Sequence, residues 1–252
     1  MKEAAAGFVS EIRTNDRVAV AAFNTKVRLL QDFTGEKAEA AHVIRRIHSG
    51  GGTAFYDALL NCIDRYMRVQ PGRKAIVVFT DGVDNQLYGD RRDGSAATFE
   101  EVLRRVQETD VLIYTIFLDS RGQTSAMNPP VGRFPRWGGL SIPFPLPVPG
   151  TFPGSRREER VASETAREQL EGIAGQTGGR MYSLRRANDL AEAYAQVADD
   201  LRVQYLLAYA SSNHSHDNQW RSIRVEIKDR PNAVVRTRRG YYAEGRSGPA
   251  GK

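Results

Sequence analysis

Two stretches of this 252-residue chain carry side chains whose types and spacing could do chemistry. The first is Gly50-Gly51-Gly52-Thr53-Ala54-Phe55-Tyr56-Asp57-Ala58-Leu59, and the second is Thr80-Asp81-Gly82-Val83-Asp84-Asn85. Both offer hydroxyl and carboxylate oxygens, and neither contains histidine or cysteine. Hard oxygen donors of this kind suit Mg²⁺, Mn²⁺ or Ca²⁺ rather than zinc. The glycines let the backbone pass close to an ion and leave Thr53 at a helix N-terminus, where it could equally be an N-cap. Asp81 follows five apolar residues, Ala75 to Phe79, which suit a strand buried on both faces of a parallel sheet. Open α/β sheets bind ligands at the carboxyl ends of their strands, so Asp81 reads as a metal or hydroxyl ligand, or as a simple Asp-Gly turn.

Other candidate chemistry is thinner. His214-Ser-His216 offers two nitrogens without a third in reach and reads as a polar loop. His42 and His48 have no acidic partner in sequence. No G-x-S-x-G elbow, Walker loop or G-x-G-x-x-G fingerprint is present. Asp57 and Asp84 could act as acid or base, but no nucleophile accompanies them, and Asp57 suits the positive end of a helix dipole. The pattern therefore points to binding rather than catalysis. Tyr241-Tyr242 beside Arg238-Arg239 could stack on single-stranded nucleic acid or cover a sheet edge.

The elements that must position the two loops alternate between helical and strand periodicity. Helices are expected over residues 2–13, 37–47, 55–67 and 98–109, and strands over 18–23, 27–33, 75–80 and 111–118. Such alternation predicts a mainly parallel sheet covered by helices on both faces, a three-layer Rossmann-like α/β sandwich. Residues 119–160 hold eight of the eleven prolines and read as a long surface insertion. Helical pattern resumes near Ser163 and ends at Gly178-Gly179. A short strand at 180–184 and a helix capped by Asn188 and running to about Val203 follow. The last part reads as a small β-ribbon with strands at 204–210, 220–227 and 234–239.

Together the two loops resemble the von Willebrand factor A-like domain, the metal-dependent adhesion fold. The resemblance covers roughly residues 2–203, with 204–252 as a β-rich extension. It rests on the GGT loop, on the helix with Asp57-Ala58-Leu59 after it, and on the FTDG strand end 28 residues beyond Thr53. The tail, with YLLAY at 205–209 and RRGYYA at 238–243, is similar to a bacterial subfamily often found in secreted proteins. The resemblance implies that Thr53 and Asp81 are metal ligands, with Gly51, Gly52, Asp84 and Asn85 shaping the rim. It implies a Mg²⁺ ion, or Mn²⁺ or Ca²⁺, that leaves one position open for an acidic side chain of a protein partner. It also implies an extracytoplasmic location. The family's D-x-S-x-S loop, which supplies three more ligands after a first strand, is not matched. The nearest stretch, Asp93-Gly-Ser95-Ala-Ala97, lacks the second serine and reads as a turn or cap. The expectations are an N-terminally shortened form of the domain, a sheet lacking its first strand with two unpaired edges, and weak or absent Mg²⁺ binding.

Composition bounds these readings. No apolar run approaches membrane-spanning length, and the opening residues read as an amphipathic helix with no signal-peptide features. The single cysteine, Cys62, excludes an intrachain disulfide and a thiolate metal cluster. The net charge of +6 is concentrated in residues 221–252, which hold nine Lys/Arg against three acidic residues. That tail could bind a polyanion, or it could be the wet side of a β-ribbon.

Overall fold

The computed structural model describes residues 1–48, 50–80, 83–88, 93–119, 156–230 and 233–243, apart from the side chains of 156–159. Asp81, Gly82 and nearly all of the proline-rich segment lie outside the described residues. The chain runs α1 (Lys2–Glu11), β1 (Val18–Phe23), β2 (Val27–Thr34), α2 (Lys37–Arg45), α3 (Phe55–Asn61) and β3 (Lys74–Thr80). It continues through α4 (Phe99–Glu108), β4 (Val111–Leu118), α5 (Arg156–Thr177), β5 (Met181–Leu184) and α6 (Leu190–Arg202). Two short strands, β6 (Trp220–Ser222) and β7 (Gly240–Tyr242), close it.

The central sheet has the order β3-β4-β5 and is parallel throughout. Its middle strand, VLIYTIFL, has all but one residue buried, as a strand covered on both faces requires. Side chains alternate between faces along a strand, and β3 shows it. Ile76 and Val78 pack with Leu59 and Ile63, Val102 and Val106 of α4, and Ile173 of α5. Val77 and Phe79 pack on the opposite face with Phe8 of α1 and Leu190, Tyr194 and Val197 of α6. Burial of each such side chain contributes about 1.5–3 kcal/mol, so the helices are held by their apolar stripes. Thr115 is fully buried in β4, and its hydroxyl donates to the Leu170 carbonyl at 3.3 Å.

The hairpin β1–β2 forms a separate antiparallel pair, with a third apolar cluster between Val20, α1 and α2. Among the described residues no ladder joins β1 to β3, so each presents an unpaired edge, as expected for a sheet lacking one strand.

Several local expectations are corrected. The helix expected over 55–67 divides into α3 and a π-helical turn at Cys62–Met67. Asn188 is not an N-cap: it lies inside a short 3₁₀ turn, Ala187–Asp189, and α6 starts after Asp189. Residues 204–210 form no strand, and the ribbon shrinks to β6 paired with β7, the latter displaced C-terminally from the expected 234–239. A lone two-stranded ribbon is marginal in water, so hydrophobic alternation without a covering layer does not secure long strands there. In contrast, α4 starts where the sequence signals it. Thr98 and Glu101 form a reciprocal capping box, with Glu101 Oε2 accepting from the Thr98 amide at 2.8 Å.

Candidate functional site

The two loops meet at the carboxyl end of β3, above the N-terminus of α3. That helix exposes amides which need acceptors, and its N-cap, Ala54, supplies none from its side chain. Asp84, 3% exposed, fills the role from across the site. Its Oδ2 accepts from the amides of Phe55 (2.8 Å) and Tyr56 (3.2 Å) and from the Ser95 hydroxyl (2.6 Å). Its Oδ1 accepts from the amides of Gln86 and Ser95, both at 3.0 Å. A carboxylate at a helix N-terminus also meets the positive end of the dipole. Asp84 is thus a buried staple between the loop after β3 and the start of α3.

Ser95 and Asp57 extend the staple. The fully buried Ser95 hydroxyl donates to Asp84 and accepts from the Asp57 amide at 3.1 Å. The Asp57 carboxylate in turn accepts from the amides of Ala96 and Ala97, each at 2.9 Å. Gln86 Nε2 adds a bond to the Ser95 carbonyl at 3.0 Å. Sequence reasoning missed this network. Ser95 stood out only as a turn or cap, and Asp57 as a dipole residue. The Asp-x-Ser spacing at 93–95 was visible, but nothing in it says which distant amides the serine meets.

The glycine-rich loop is pinned on two sides. Thr53 and Asn85 bind reciprocally: the Thr53 amide donates to Asn85 Oδ1 at 3.2 Å, and the Asn85 amide donates to the Thr53 carbonyl at 2.9 Å. On the other side Asn24 Nδ2 donates to the Gly50 carbonyl at 3.0 Å, and the Ala54 amide donates to the Asn24 carbonyl at 2.8 Å. Gly51 has φ +90°, where glycine is favoured. At Gly52 a Cβ would lie 2.6 Å from the Asp93 carbonyl oxygen and 2.8 Å from Asn85 Nδ2, so only glycine lets these loops touch. Thr53 is not the N-cap, which falls one residue later. It is half-buried, and among the described residues its hydroxyl has no hydrogen-bond partner.

Burial raises two nearby ionisable groups. Tyr56 is held protonated by desolvation and then by the Asp84 charge, and its hydroxyl donates to Gln169 Oε1 at 2.5 Å. Cys62 is pushed up to about 11 by burial alone. Among the described residues no three His, Cys, Asp or Glu side chains gather as a metal cluster. Asp81 itself lies outside the described residues. Of the expected site residues, the structure brings Gly51, Gly52, Thr53, Asp84 and Asn85 together.

The basic tail is partly neutralised within the fold. Arg221 pairs with Asp217, Arg224 with Glu226 and Arg236 with Asp200. Arg238 donates to the carbonyls of Gly240 and Gln107.

A parallel α/β sheet with two joined loops at its carboxyl end defines an open-sheet ligand-binding class of domain. The profile of the von Willebrand factor type A domain matches residues 1–83. Two solved structures share the fold. The conserved hypothetical protein BatB from Bacteroides thetaiotaomicron has a TM-score of 0.50 and 16% identity, covering 80% of this chain and 84% of that one. The vWF domain of the type V pili tip protein Mfa5 from Porphyromonas gingivalis has a TM-score of 0.51 and 11% identity, covering 84% and 91%. No curated protein matches the chain in sequence. Residues 1–83 thus match the von Willebrand factor type A profile, and the described residues share the fold of these two structures.

Proposed function

We propose that this chain is a non-enzymatic protein-interaction module of adhesion type, whose binding face is the Thr53–Asn85 loop pair. One observation carries the reading. In a loop whose backbone is fixed by Asn24 and Asn85, the Thr53 hydroxyl stands without a partner among the described residues. A preorganised, unspent hydroxyl at the carboxyl end of β3 is a group held ready for a ligand. The interaction domain comprises residues 1–203, and residues 204–252 form an extension. The resemblance implies action outside the cytoplasm.

The fit to a divalent cation is partial. Thr53 contributes one oxygen, and Asp81, which follows the buried Thr80 in sequence, is the second proposed ligand. Asp57 and Asp84 are committed to backbone amides and serine, so they support the rim and are not spare ligands. When bound, Mg²⁺ or a similar ion would supply an open coordination position for a partner's carboxylate. With so few protein ligands its affinity is weak.

Calorimetric titration with Mg²⁺ tests the site directly. We expect little heat; micromolar affinity would show that further groups complete the shell. Capture of acidic bacterial surface proteins on the immobilised chain tests the function. Binding should fall with Thr53→Ala, and binding unchanged by that substitution would overturn the assignment of this face.

A further inference from the structure

The C-terminal extension carries a pocket at the opposite end of the sheet from the Thr53–Asn85 loops. Arg73, immediately before β3, donates to the Gln204 carbonyl at 3.0 Å, and Arg238 donates to the Gln107 carbonyl in the last turn of α4. These contacts place the extension at the amino end of β3. There the segment 209–212 and the ribbon β6–β7 enclose about 460 Å³. Small-ligand pockets occupy roughly 300–1,000 Å³.

The pocket is aromatic and rich in hydroxyls. In the ladder Arg221 pairs with Tyr241 and Trp220 with Tyr242, so strand alternation puts Arg221 and Tyr241 on one face of the ribbon. Tyr209 joins that face, its ring edge-on to Tyr241 at 6.5 Å between centroids. At 62% exposure, much of the Tyr209 ring stays open to a ligand. On the reverse face Trp220 lies against Gly240, where a Cβ would come within 2.5 Å of the indole, and packs edge-on to Tyr242 at 5.1 Å. Those contacts hold the ribbon behind the pocket. Ser211, Ser212 and Ser222 line the rest. Ser211 Oγ accepts from the Asn213 amide at 3.2 Å, and the Ser212 and Ser222 hydroxyls have no partner among the described residues.

Charge and polarity narrow the ligand class. Among the described residues Arg221 is the one charged residue of the wall, and its Nη2 lies 2.8 Å from both carboxylate oxygens of Asp217. A polyanion therefore meets little net positive potential here. An apolar or proline-rich chain meets hydroxyls where it needs an apolar groove. A neutral sugar ring suits both features. Its weakly positive C–H face stacks on the negative face of a tyrosine, and its hydroxyls exchange hydrogen bonds with serines that both donate and accept.

We propose that this pocket binds a neutral saccharide, with Tyr209 as the stacking platform and the serines as hydroxyl partners. It lies apart from the Thr53–Asn85 face, so the two sites act independently.

The full chain tests this on an array of glucose, mannose and N-acetylglucosamine oligomers, beside heparin, oligo-dT and a PFPLPVPGTFP peptide copied from residues 143–153. We expect retention on neutral oligomers that persists at high salt, since no counterions are released. Tyr209→Ala should weaken it about tenfold, the loss of one stacking contact. Circular dichroism of that variant should match the parent, because the exposed ring belongs to no core. Tyr209→Trp keeps a stacking face and should preserve binding. Thr53→Ala should leave it unchanged, which separates this site from the loop face. No neutral oligomer retained above the Tyr209→Ala level would overturn the site, and so would retention that ignores the substitution. Retention of heparin or oligo-dT alone, lost with salt, would assign the face to polyanions. Retention of the peptide alone would assign it to a proline-rich strand, and either result would overturn the saccharide.

Discussion

Replacing Asp84 by alanine should be among the most damaging single changes at the candidate site. The carboxylate accepts five hydrogen bonds: the amides of Phe55, Tyr56, Gln86 and Ser95, and the Ser95 hydroxyl. Hydrogen bonds to a charged group contribute about 1.5–3 kcal/mol each, so a plain sum reaches about 7–15 kcal/mol. That sum is too large, because water entering the space vacated by the carboxylate rehydrates part of the donors. A net loss of about 3–5 kcal/mol is expected, as when one partner of a buried charged network is removed. Against a total stability of about 5–15 kcal/mol this could unfold a large share of the molecules. Asp84→Asn keeps one acceptor oxygen but turns an NH₂ group toward amide donors, and should cost about 2–3 kcal/mol. Urea unfolding followed by circular dichroism gives both values, with m unchanged if the native fold persists. Combined with Ser95→Ala in a double-mutant cycle, the pair should show coupling of about 1–2 kcal/mol. A cost below about 1 kcal/mol for Asp84→Ala would refute the claim that this side chain holds the two loops together.

Three further outcomes follow from the structure. Gly52→Ala should destabilise by about 1–3 kcal/mol, since its Cβ must displace Asp93 or Asn85, and thermal melting would show a lowered midpoint. Thr98→Ala removes the acceptor half of the capping box and should cost about 1 kcal/mol, measured by the same urea titration. Cys62, raised to about 11, should react with iodoacetamide at pH 8 far more slowly than a free thiol. Because its folded value lies above its unfolded one, its contribution to stability is present at neutral pH and lost as pH rises toward 11, a loss that Cys62→Ala should remove.

The legibility of this protein in its sequence differs by element. The strands β3 and β4 were readable because their apolar runs need no partner to declare themselves, and β4 was placed to the residue at both ends. Helix α4 was readable from Thr98 and Glu101, whose capping chemistry is local. The C-terminal ribbon was not. Alternation at 220–227 marks a side with Ile223 and Val225 half-buried, but the ladder stops at Ser222. Pairing depends on what lies alongside, and among the described residues the segment 204–210 has no strand beside it.

The site divides in the same way. The sequence by itself determined the donor types and their spacing: a threonine after three glycines, and acidic residues after an apolar strand. It also determined which positions must be glycine-like, because a loop that passes close to another cannot carry a Cβ. Only the tertiary structure decided which oxygens are spent. Asp57 and Asp84 are in sequence the same residue type as any surface aspartate, yet the fold turns both onto backbone amides and leaves the Thr53 hydroxyl open. Sequence spacing fixes what a residue can donate or accept, and through-space neighbours fix whether that capacity is already used.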